Sequence, residues 1–483
     1  MNPGTSELHL LAALEQTPDV RGVLCLFEGV ATGAADGFGR MAGLPALTLL
    51  HQGAGLANGL ANLHNAKRAR TPVVNLVGDG ATTHRGLGAP LESDVAALAG
   101  TVSCWVRTAR DPASAGVDAT EAVAATTSPP GGVATLIVPA DVAWSSGGQA
   151  ARQTPASPAP STAREFAAVG RNTSVLLGGP ALTARGLAAA DRIARATHAL
   201  VLAEAFPSRL EQGIGVPAIE RLSSDPVTAR RRLADCGHLV LAGAAPPITA
   251  FAEPGMAGEL TPADCMVDRL DGDVVSALED LADRVAPHIR AHVQEPTSAR
   301  FHMPYEPLTA DTVADVVATL LPEGAIVIDE ANTSSVPLPE WAARHDVLTN
   351  PGFAIGLGMP LAVGAALACP DRPVVCLEAD GSAMYTPSAL WTQARERLSV
   401  TTIVLNNHGY AILRRESARL LGGTGGSTLF DLSGPDLDFV ALAEAMGVPG
   451  CRVGTTGELA ARLRQALDES GPHLIEASVP ARY

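Results

Sequence analysis

The chain has 483 residues, of which 47% are hydrophobic and 17% charged, and its formal net charge is −16. This composition is typical of a globular protein of about two to four domains, and the acidic excess argues against nucleic acid as a partner. Neither an apolar run of about 18 residues nor a signal-peptide pattern occurs, which predicts a cytoplasmic protein that does not bind membranes. Seven scattered cysteines without a CxxC pair indicate reduced thiols rather than disulfides or a zinc site.

The first 150 residues alternate between short apolar runs and longer segments of helical period. We predict strands over Gly22–Phe27, Ala46–Leu50 and Pro72–Val77, and helices over Leu8–Leu14, Glu28–Met41 and Gly55–Arg68. This alternation is typical of an α/β unit with a mostly parallel sheet. Glu28 begins a predicted helix and His51 follows a predicted strand. Position alone favours helix capping for Glu28 and a structural role for His51.

A second α/β unit is predicted over residues 163–293, between two segments that lack periodicity. Residues 148–162 are rich in Ala, Pro, Ser and Thr, and residues 294–307 contain several prolines. Both segments are predicted linkers. The predicted strands and helices between them are Ser174–Leu177, Ala184–Ala196, Ala199–Ala203, His238–Ala242 and Val274–Val285. Gly178 and Gly179 follow the first of these strands without forming GxGxxG, so a spacer role is favoured over nucleotide binding.

The third unit, residues 308–483, places polar residues at the ends of two predicted buried strands. Its predicted elements include a helix over Asp311–Leu321, strands over Ala325–Ile328, Pro373–Leu377 and Thr401–Leu405, and a helix over Ser388–Arg397. Asp380 follows one strand and Asn407 follows the next. Because neighbouring parallel strands end at the same sheet edge, the acid and the amide should converge there, as a cation that also binds phosphate oxygens requires. An ordinary strand–turn–helix–strand unit would carry the same pattern.

At these residues the chain resembles the thiamine diphosphate (ThDP) enzymes, whose signature is Gly-Asp-Gly followed by Asn-Asn. Here the corresponding residues are Ala379-Asp380-Gly381 and Asn406-Asn407. The resemblance covers nearly the whole chain and is to the acetolactate synthase, benzoylformate decarboxylase and pyruvate oxidase group, nearest to acetolactate synthase large-subunit-like proteins of actinobacteria. It implies an α/β fold of three doubly wound, mostly parallel-sheet domains: pyrimidine-binding (1–150), central (163–293) and diphosphate-binding (308–483). The family's first helix and strand have no counterpart, and we expect a start upstream of Met1.

The resemblance implies ThDP and Mg²⁺ as cofactors. The implied metal ligands are Asp380, Asn407 and Gly409. The implied cofactor-binding residues are Asn332, Thr333, Phe353, Ile355, Gly381, Ser382 and Tyr410, of which Ile355 would support the bent shape of the cofactor. FAD in the central domain, as in ThDP oxidases, is a further possibility that the missing GxGxxG does not favour.

The resemblance also implies the residues of the catalytic side. Glu28, in the segment LFEGVATGAADGFG, would hold N1′ of the aminopyrimidine so that the 4′-imino group can take the C2 proton of the thiazolium. His51 and Thr5 would face the substrate, as a histidine and a serine do in benzoylformate decarboxylase. Leu91 stands where acetolactate synthases have a glutamine, which departs from the synthase pattern.

No residue between 245 and 255 matches the second active-site histidine of benzoylformate decarboxylase. His84 and His408 are candidates for its proton transfer, although a surface-loop role is favoured for each.

The implied function is ThDP- and Mg²⁺-dependent decarboxylation or carboligation of a 2-oxo acid through an enamine intermediate, as in acetolactate synthase. A simple decarboxylase like benzoylformate decarboxylase and a noncatalytic or regulatory homologue are the alternatives. The family's active sites lie between subunits, so the resemblance also implies a homodimer or homotetramer with a small-molecule substrate.

Overall fold

The computed structural model describes residues 1–129, 131–152, 169–252, 255–270, 272–295, 306–422 and 428–481. Residues 153–162 and 296–305 of the two predicted linkers lie outside the described residues. The strands are β1 Ala46–His51, β2 Val73–Asp79, β3 Trp105–Thr108, β4 Val133–Pro139, β5 Thr173–Leu177, β6 Leu200–Ala203, β7 Leu210–Gln212, β8 His238–Ala242, β9 Met266–Leu270, β10 Ala325–Glu330, β11 His345–Thr349, β12 Val374–Ala379, β13 Val400–Asn406, β14 Gly450–Val453 and β15 His473–Ser478. The helices are α1 Leu8–Glu15, α2 Glu28–Ala42, α3 Gln52–Ala69, α4 Val95–Val102, α5 Pro112–Thr127, α6 Ala140–Trp144, α7 Ala184–Thr197, α8 Pro226–Arg232, α9 Val274–Val285, α10 Ala310–Leu320, α11 Gly358–Ala368, α12 Asp380–Ala383, α13 Ala389–Glu396, α14 Ala411–Leu421, α15 Phe439–Ala445 and α16 Thr456–Asp468.

These strands form three sheets, in the orders β1-β2-β4-β3, β6-β5-β8-β9 and β14-β15-β13-β12-β10-β11-β7. Strands such as β4 and β13 are buried along their whole length, as expected when helices cover both faces of a parallel sheet. Adjacent strands run parallel apart from β7, which lies antiparallel to β11. The predicted α/β class with mostly parallel sheets is therefore confirmed. Strand β7 comes from the middle of the chain, so this segment joins the last sheet rather than the central one.

The predicted strand Gly22–Phe27 is wrong. The segment is extended, but it bonds to the start of the chain instead of entering a sheet: the Cys25 N–H donates to the Met1 carbonyl, and the Asn2 side chain donates to the Cys25 carbonyl, both at 2.9 Å. An apolar run can satisfy its backbone in this way without a ladder partner. In the described part of the chain, no helix combines the length and apolar character needed to cross a membrane.

Helices α2 and α11 hold the first unit against the last. A Cβ atom at Gly37 would collide with the carbonyl of Leu361, and one at Gly364 would collide with the carbonyl of Ala34. The two backbones are therefore in direct contact, which only small residues allow at these positions. Because α2 begins at Glu28, this contact also fixes where the first residue of α2 lies.

Near the end of α2, Arg40 connects all three units through buried and partly buried hydrogen bonds. Its Nε donates to Asp36 at 2.8 Å, and its Nη1 donates to the carbonyls of Thr349 at 2.7 Å and Ser208 at 3.1 Å. The Thr71 hydroxyl also donates to Asp36. The charged pair is almost fully shielded from solvent, so its two partners depend on each other.

Candidate active site

Strands β12 and β13 bring Asp380 and Asn407 to the same edge of the last sheet. The strands are parallel neighbours with Ala379 opposite Leu405, so both chains leave the sheet together. Ala379 has φ −83° and ψ 148°, an extended conformation open to any L-residue. Alanine therefore fits without strain at the position where the family signature has glycine.

The Asp380 carboxylate organises the loop that follows β13. It accepts the backbone N–H of Gly381 at 2.7 Å and those of Asn407 and Gly409 at 3.1 Å each. Burial raises the pKa of Asp380, and the backbone N–H groups, with Gly381 first, oppose that rise. The side-chain oxygen of Asn407 also accepts the Gly409 N–H, at 3.1 Å. Two oxygen-bearing side chains are thus held side by side by backbone hydrogen bonds.

Residues on either side of this loop lie close to Asp380. A Cβ atom at Gly381 would be 2.5 Å from the Tyr410 ring, so the ring packs directly on the glycine. Partial burial raises the pKa of the Tyr410 hydroxyl, and Tyr385 and Asp380 add to that rise. From the turn after β10, the Asn332 side chain donates to the Ser382 hydroxyl at 2.7 Å. Thr333 is the next residue of this turn.

Among the described residues, no group of three or more His, Cys, Asp or Glu side chains could hold a metal by itself. A hard cation at Asp380 and Asn407 would therefore have to complete its oxygen shell with the backbone, water or a bound molecule.

Ile355 and Phe353 lie in the loop before α11. Ile355 is partly buried. Phe353 has a positive φ of 63°, unusual for a bulky residue, and its N–H donates to the Asn350 side chain at 3.0 Å. The residue is 43% exposed, and its ring stands edge-on to the rings of Phe206 and Phe251, with centroid distances of 4.7 and 6.1 Å. The loop thus carries an exposed aromatic cluster shared with the central segment.

Two buried carboxyls behind this loop were not predicted as site residues. Glu330 and Glu378 lie opposite each other on β10 and β12. Glu330 accepts the N–H groups of Leu357 at 2.8 Å and Gly358 at 2.6 Å, and so holds the start of α11. Burial, followed by the charge of Glu330, raises the pKa of Glu378 well above the usual range. Glu378 therefore keeps its proton at a higher pH than an ordinary glutamate.

The predicted catalytic residues of the first unit lie together. Glu28 is the first residue of α2 and accepts the side-chain N–H of Asn58 at 3.0 Å. His51 is the last residue of β1. A Cβ atom at Gly55 would lie 3.2 Å from the Glu28 carboxyl and 3.4 Å from the His51 Cβ. Both side chains therefore border the same glycine. Thr5 is exposed, in the short helical turn Thr5–Glu7 that packs against β1.

Glu7 also belongs to this group, although it was not predicted as a site residue. Its side chain is buried, and one carboxylate oxygen lies 2.8 Å from His51 Nδ1 and accepts the Gly4 N–H at 2.8 Å. The bond from the Gly4 N–H to Glu7 is only half of a capping box, and because Gly4 has no side chain for the other half, the sequence carries no such signal.

The remaining histidine and leucine candidates lie on the surface. Leu91 is 43% exposed, and the neighbouring Glu92 carboxylate accepts the Gly88 N–H at 2.8 Å. His84 is exposed, and His408 lies 3.1 Å from the Asp436 carboxylate. Within the described residues, no hydrogen bond joins Glu28 or His51 to Asp380 or Asn407.

Similarity to known proteins covers the chain from end to end. The family models described as the N-terminal and the C-terminal TPP binding domains of thiamine pyrophosphate enzymes match residues 1–98 and 339–477. The chain is 53% identical to the "Putative acetolactate synthase large subunit IlvX" of Mycobacterium tuberculosis, over 99% of this chain and 95% of that protein. It is 31% identical to the benzoylformate decarboxylase of Pseudomonas aeruginosa, over 98% of this chain and 94% of that protein.

A solved structure shares the fold. It is the thiamine diphosphate-dependent 4-hydroxybenzoylformate decarboxylase of Rhodococcus jostii, with a TM-score of 0.85 and 25% identity, covering 100% of this chain and 96% of that one. The family models, the identity over the whole length and the shared fold agree, and the chain belongs to the thiamine pyrophosphate enzyme family.

Proposed function

We propose that the protein is a ThDP- and Mg²⁺-dependent enzyme that decarboxylates a 2-oxo acid and either releases an aldehyde or joins the fragment to a second carbonyl compound. The observation that carries the proposal is the Asp380 loop. It presents a carboxylate and an amide oxygen at adjoining strand ends, too few ligands for a metal alone but suited to a metal that a diphosphate also binds.

The residues of this loop fit the cofactor. Asp380, the Asn407 side chain and the Gly409 backbone would hold Mg²⁺, while residues around them would bind the diphosphate. These are Asn332, Thr333, Gly381, Ser382 and Tyr410. Once bound, ThDP supplies an electron sink for breaking the bond between the carboxyl and carbonyl carbons.

The residues of the first unit would manage protons. Glu28 would hold a proton at N1′ of the aminopyrimidine, and Ile355 and Phe353 would pack against the cofactor from the loop before α11. His51 would give or take a proton on the substrate side, and Thr5 would orient the substrate carboxylate.

We further propose that a second copy of the chain completes each site, with Glu28 of one subunit facing Asp380 of the other. Mixing the Glu28→Gln and Asp380→Asn variants tests this, because a mixed dimer regains one intact site. Random exchange should restore about a quarter of the wild-type activity. A mixture no more active than its inactive components would contradict shared sites.

A decarboxylase for aromatic 2-oxo acids is the second candidate, favoured by the exposed rings of Phe251 and Phe353. Aromatic side chains pack well against other rings. A panel of pyruvate, 2-oxobutanoate and benzoylformate, scored for CO2 and for aldehyde or acyloin products, separates the two activities. Calorimetric titration with ThDP and Mg²⁺ comes first. Absence of binding would reject both enzymatic functions and leave a noncatalytic homologue.

A further inference from the structure

We infer that Glu7 is a positioning residue for His51: it holds the imidazole as the tautomer with its proton on Nδ1, which leaves Nε2 free to exchange a proton with a substrate. The role of His51 in turnover rests on the proposed function, whereas the orientation of its ring by Glu7 does not.

The hydrogen bonds at Glu7 determine the tautomer. The carboxyl oxygen that lies 2.8 Å from His51 Nδ1 also accepts the Gly4 N–H at 2.8 Å. A carboxylate has no hydrogen to donate, so toward the Glu7 carboxylate it is Nδ1 that carries the hydrogen. In a neutral imidazole the other nitrogen, Nε2, then has the lone pair.

Close packing restricts the positions that the Glu7 side chain can adopt. A Cβ atom at Gly4 would collide with the His51 ring, and one at Gly78 would collide with the second carboxyl oxygen of Glu7. That second oxygen is buried and has no hydrogen-bond partner within the described residues. A buried oxygen without a partner opposes folding, so helix capping alone does not account for a glutamate here.

The position of the pair suits a proton-transfer role. His51 ends β1 at the carboxyl edge of its sheet, its side chain is 20% exposed, and it shares Gly55 with Glu28. The histidine thus has one nitrogen bound to a buried carboxyl and an edge that solvent can reach. This is the arrangement in which a carboxyl orients an imidazole base without meeting the substrate itself.

Nuclear magnetic resonance of the protein labelled with ¹⁵N in its 12 histidines reports the tautomer directly and needs neither cofactor nor turnover. The His51 signals are assigned by their loss in a His51→Gln variant. We expect the Nδ1–H form in the wild type and in Glu7→Gln, whose amide oxygen can still accept, and a mixture of tautomers in Glu7→Leu. The Nε2–H form in the wild type, or an unchanged Nδ1–H form in Glu7→Leu, would overturn the inference.

Asp268→Asn is the matched control. It removes the carboxylate that lies 2.9 Å from Nε2 of another histidine, His238, and should leave the His51 signals in place. If Glu7→Leu does not fold, Gly78→Ala tests the same contact, because the added methyl group would push the Glu7 carboxyl away from His51.

Kinetics test the consequence for turnover, with whichever of pyruvate, 2-oxobutanoate and benzoylformate reacts fastest. Glu7→Leu should lower kcat about tenfold or more with KM within about twofold, and Glu7→Gln should retain most of kcat. An unchanged kcat in a Glu7→Leu enzyme that has lost the tautomer would reject the positioning role. If none of the three acids reacts while the tautomers behave as expected, the proposed function fails and the orientation of His51 by Glu7 stands.

Discussion

Glu204 should make the protein less stable as the pH rises from 4.5 to about 7. The residue follows β6, and burial raises the pKa of its carboxyl from 4.5 to about 7, although the Gly179 N–H and the Arg70 charge both oppose the rise. Between these two values the folded protein keeps a proton that the unfolded chain has released. Stability therefore falls with rising pH across this interval, and the loss is complete above pH 7.

The size of the effect follows from the two pKa values. A difference of about 2.5 units at 1.36 kcal/mol per unit gives about 3 kcal/mol at pH 8, and less than about 1 kcal/mol at pH 5. The Glu204→Gln variant cannot ionise. Relative to the wild type, it should therefore gain about 2 to 3 kcal/mol of unfolding free energy between pH 5 and pH 8.

Urea unfolding of both proteins at pH 5 and pH 8 measures this difference. Glu279→Gln is the control, because Glu279 lies in a salt bridge with Arg185 at the surface, where such pairs contribute about 0 to 1 kcal/mol. A Glu204→Gln variant whose stability relative to the wild type is the same at both pH values would refute the reasoning. So would a relative gain at pH 5 that disappears at pH 8.

Three further changes test other parts of the structure. Arg40→Met leaves Asp36 buried without its cation and should lower the free energy of unfolding by about 3 to 5 kcal/mol in urea; a loss below about 1 kcal/mol would contradict the buried ion pair. Asp380→Asn should weaken the calorimetric affinity for ThDP with Mg²⁺ by about tenfold or more in a protein that is still folded by circular dichroism; equal affinity would remove Asp380 from the site. Glu378→Gln removes a carboxyl whose pKa is raised by burial, so the melting temperature of the variant should rise relative to that of the wild type between pH 5 and pH 8; a relative fall over that range would contradict the raised pKa.

Many of the helices and strands could be predicted because they depend on short stretches of the sequence. The strand His238–Ala242 and the helix Val274–Val285 have the predicted bounds, since an apolar run and a helical period are properties of a few successive residues. The convergence of Asp380 and Asn407 at one sheet edge also follows from their position after two parallel strands. The segment Gly22–Phe27 differs because its backbone partners are Met1 and Asn2, and hydropathy does not encode which segments pair.

The parts of the candidate site that could not be predicted depend on contacts between distant residues. Glu7 and His51 are 44 positions apart and Glu330 and Gly358 are 28 apart, and neither pair has a spacing that suggests contact. Each pair can be identified only in the folded structure, where a buried carboxyl lies within hydrogen-bonding distance of the other residue. Such pairing is set by tertiary packing, which no pattern of neighbouring residues specifies.

The two small residues on either side of Asp380, Ala379 and Gly381, meet different physical requirements. Ala379 has an extended backbone that any L-residue adopts, so its position does not require glycine. At Gly381 the Tyr410 ring lies 2.5 Å from where a Cβ atom would be, so a larger residue would force the ring and the loop after β13 to move. That loop donates the Asn407 and Gly409 N–H groups to Asp380. In this chain the glycine after the aspartate therefore preserves the site, whereas the residue before the aspartate need not be glycine.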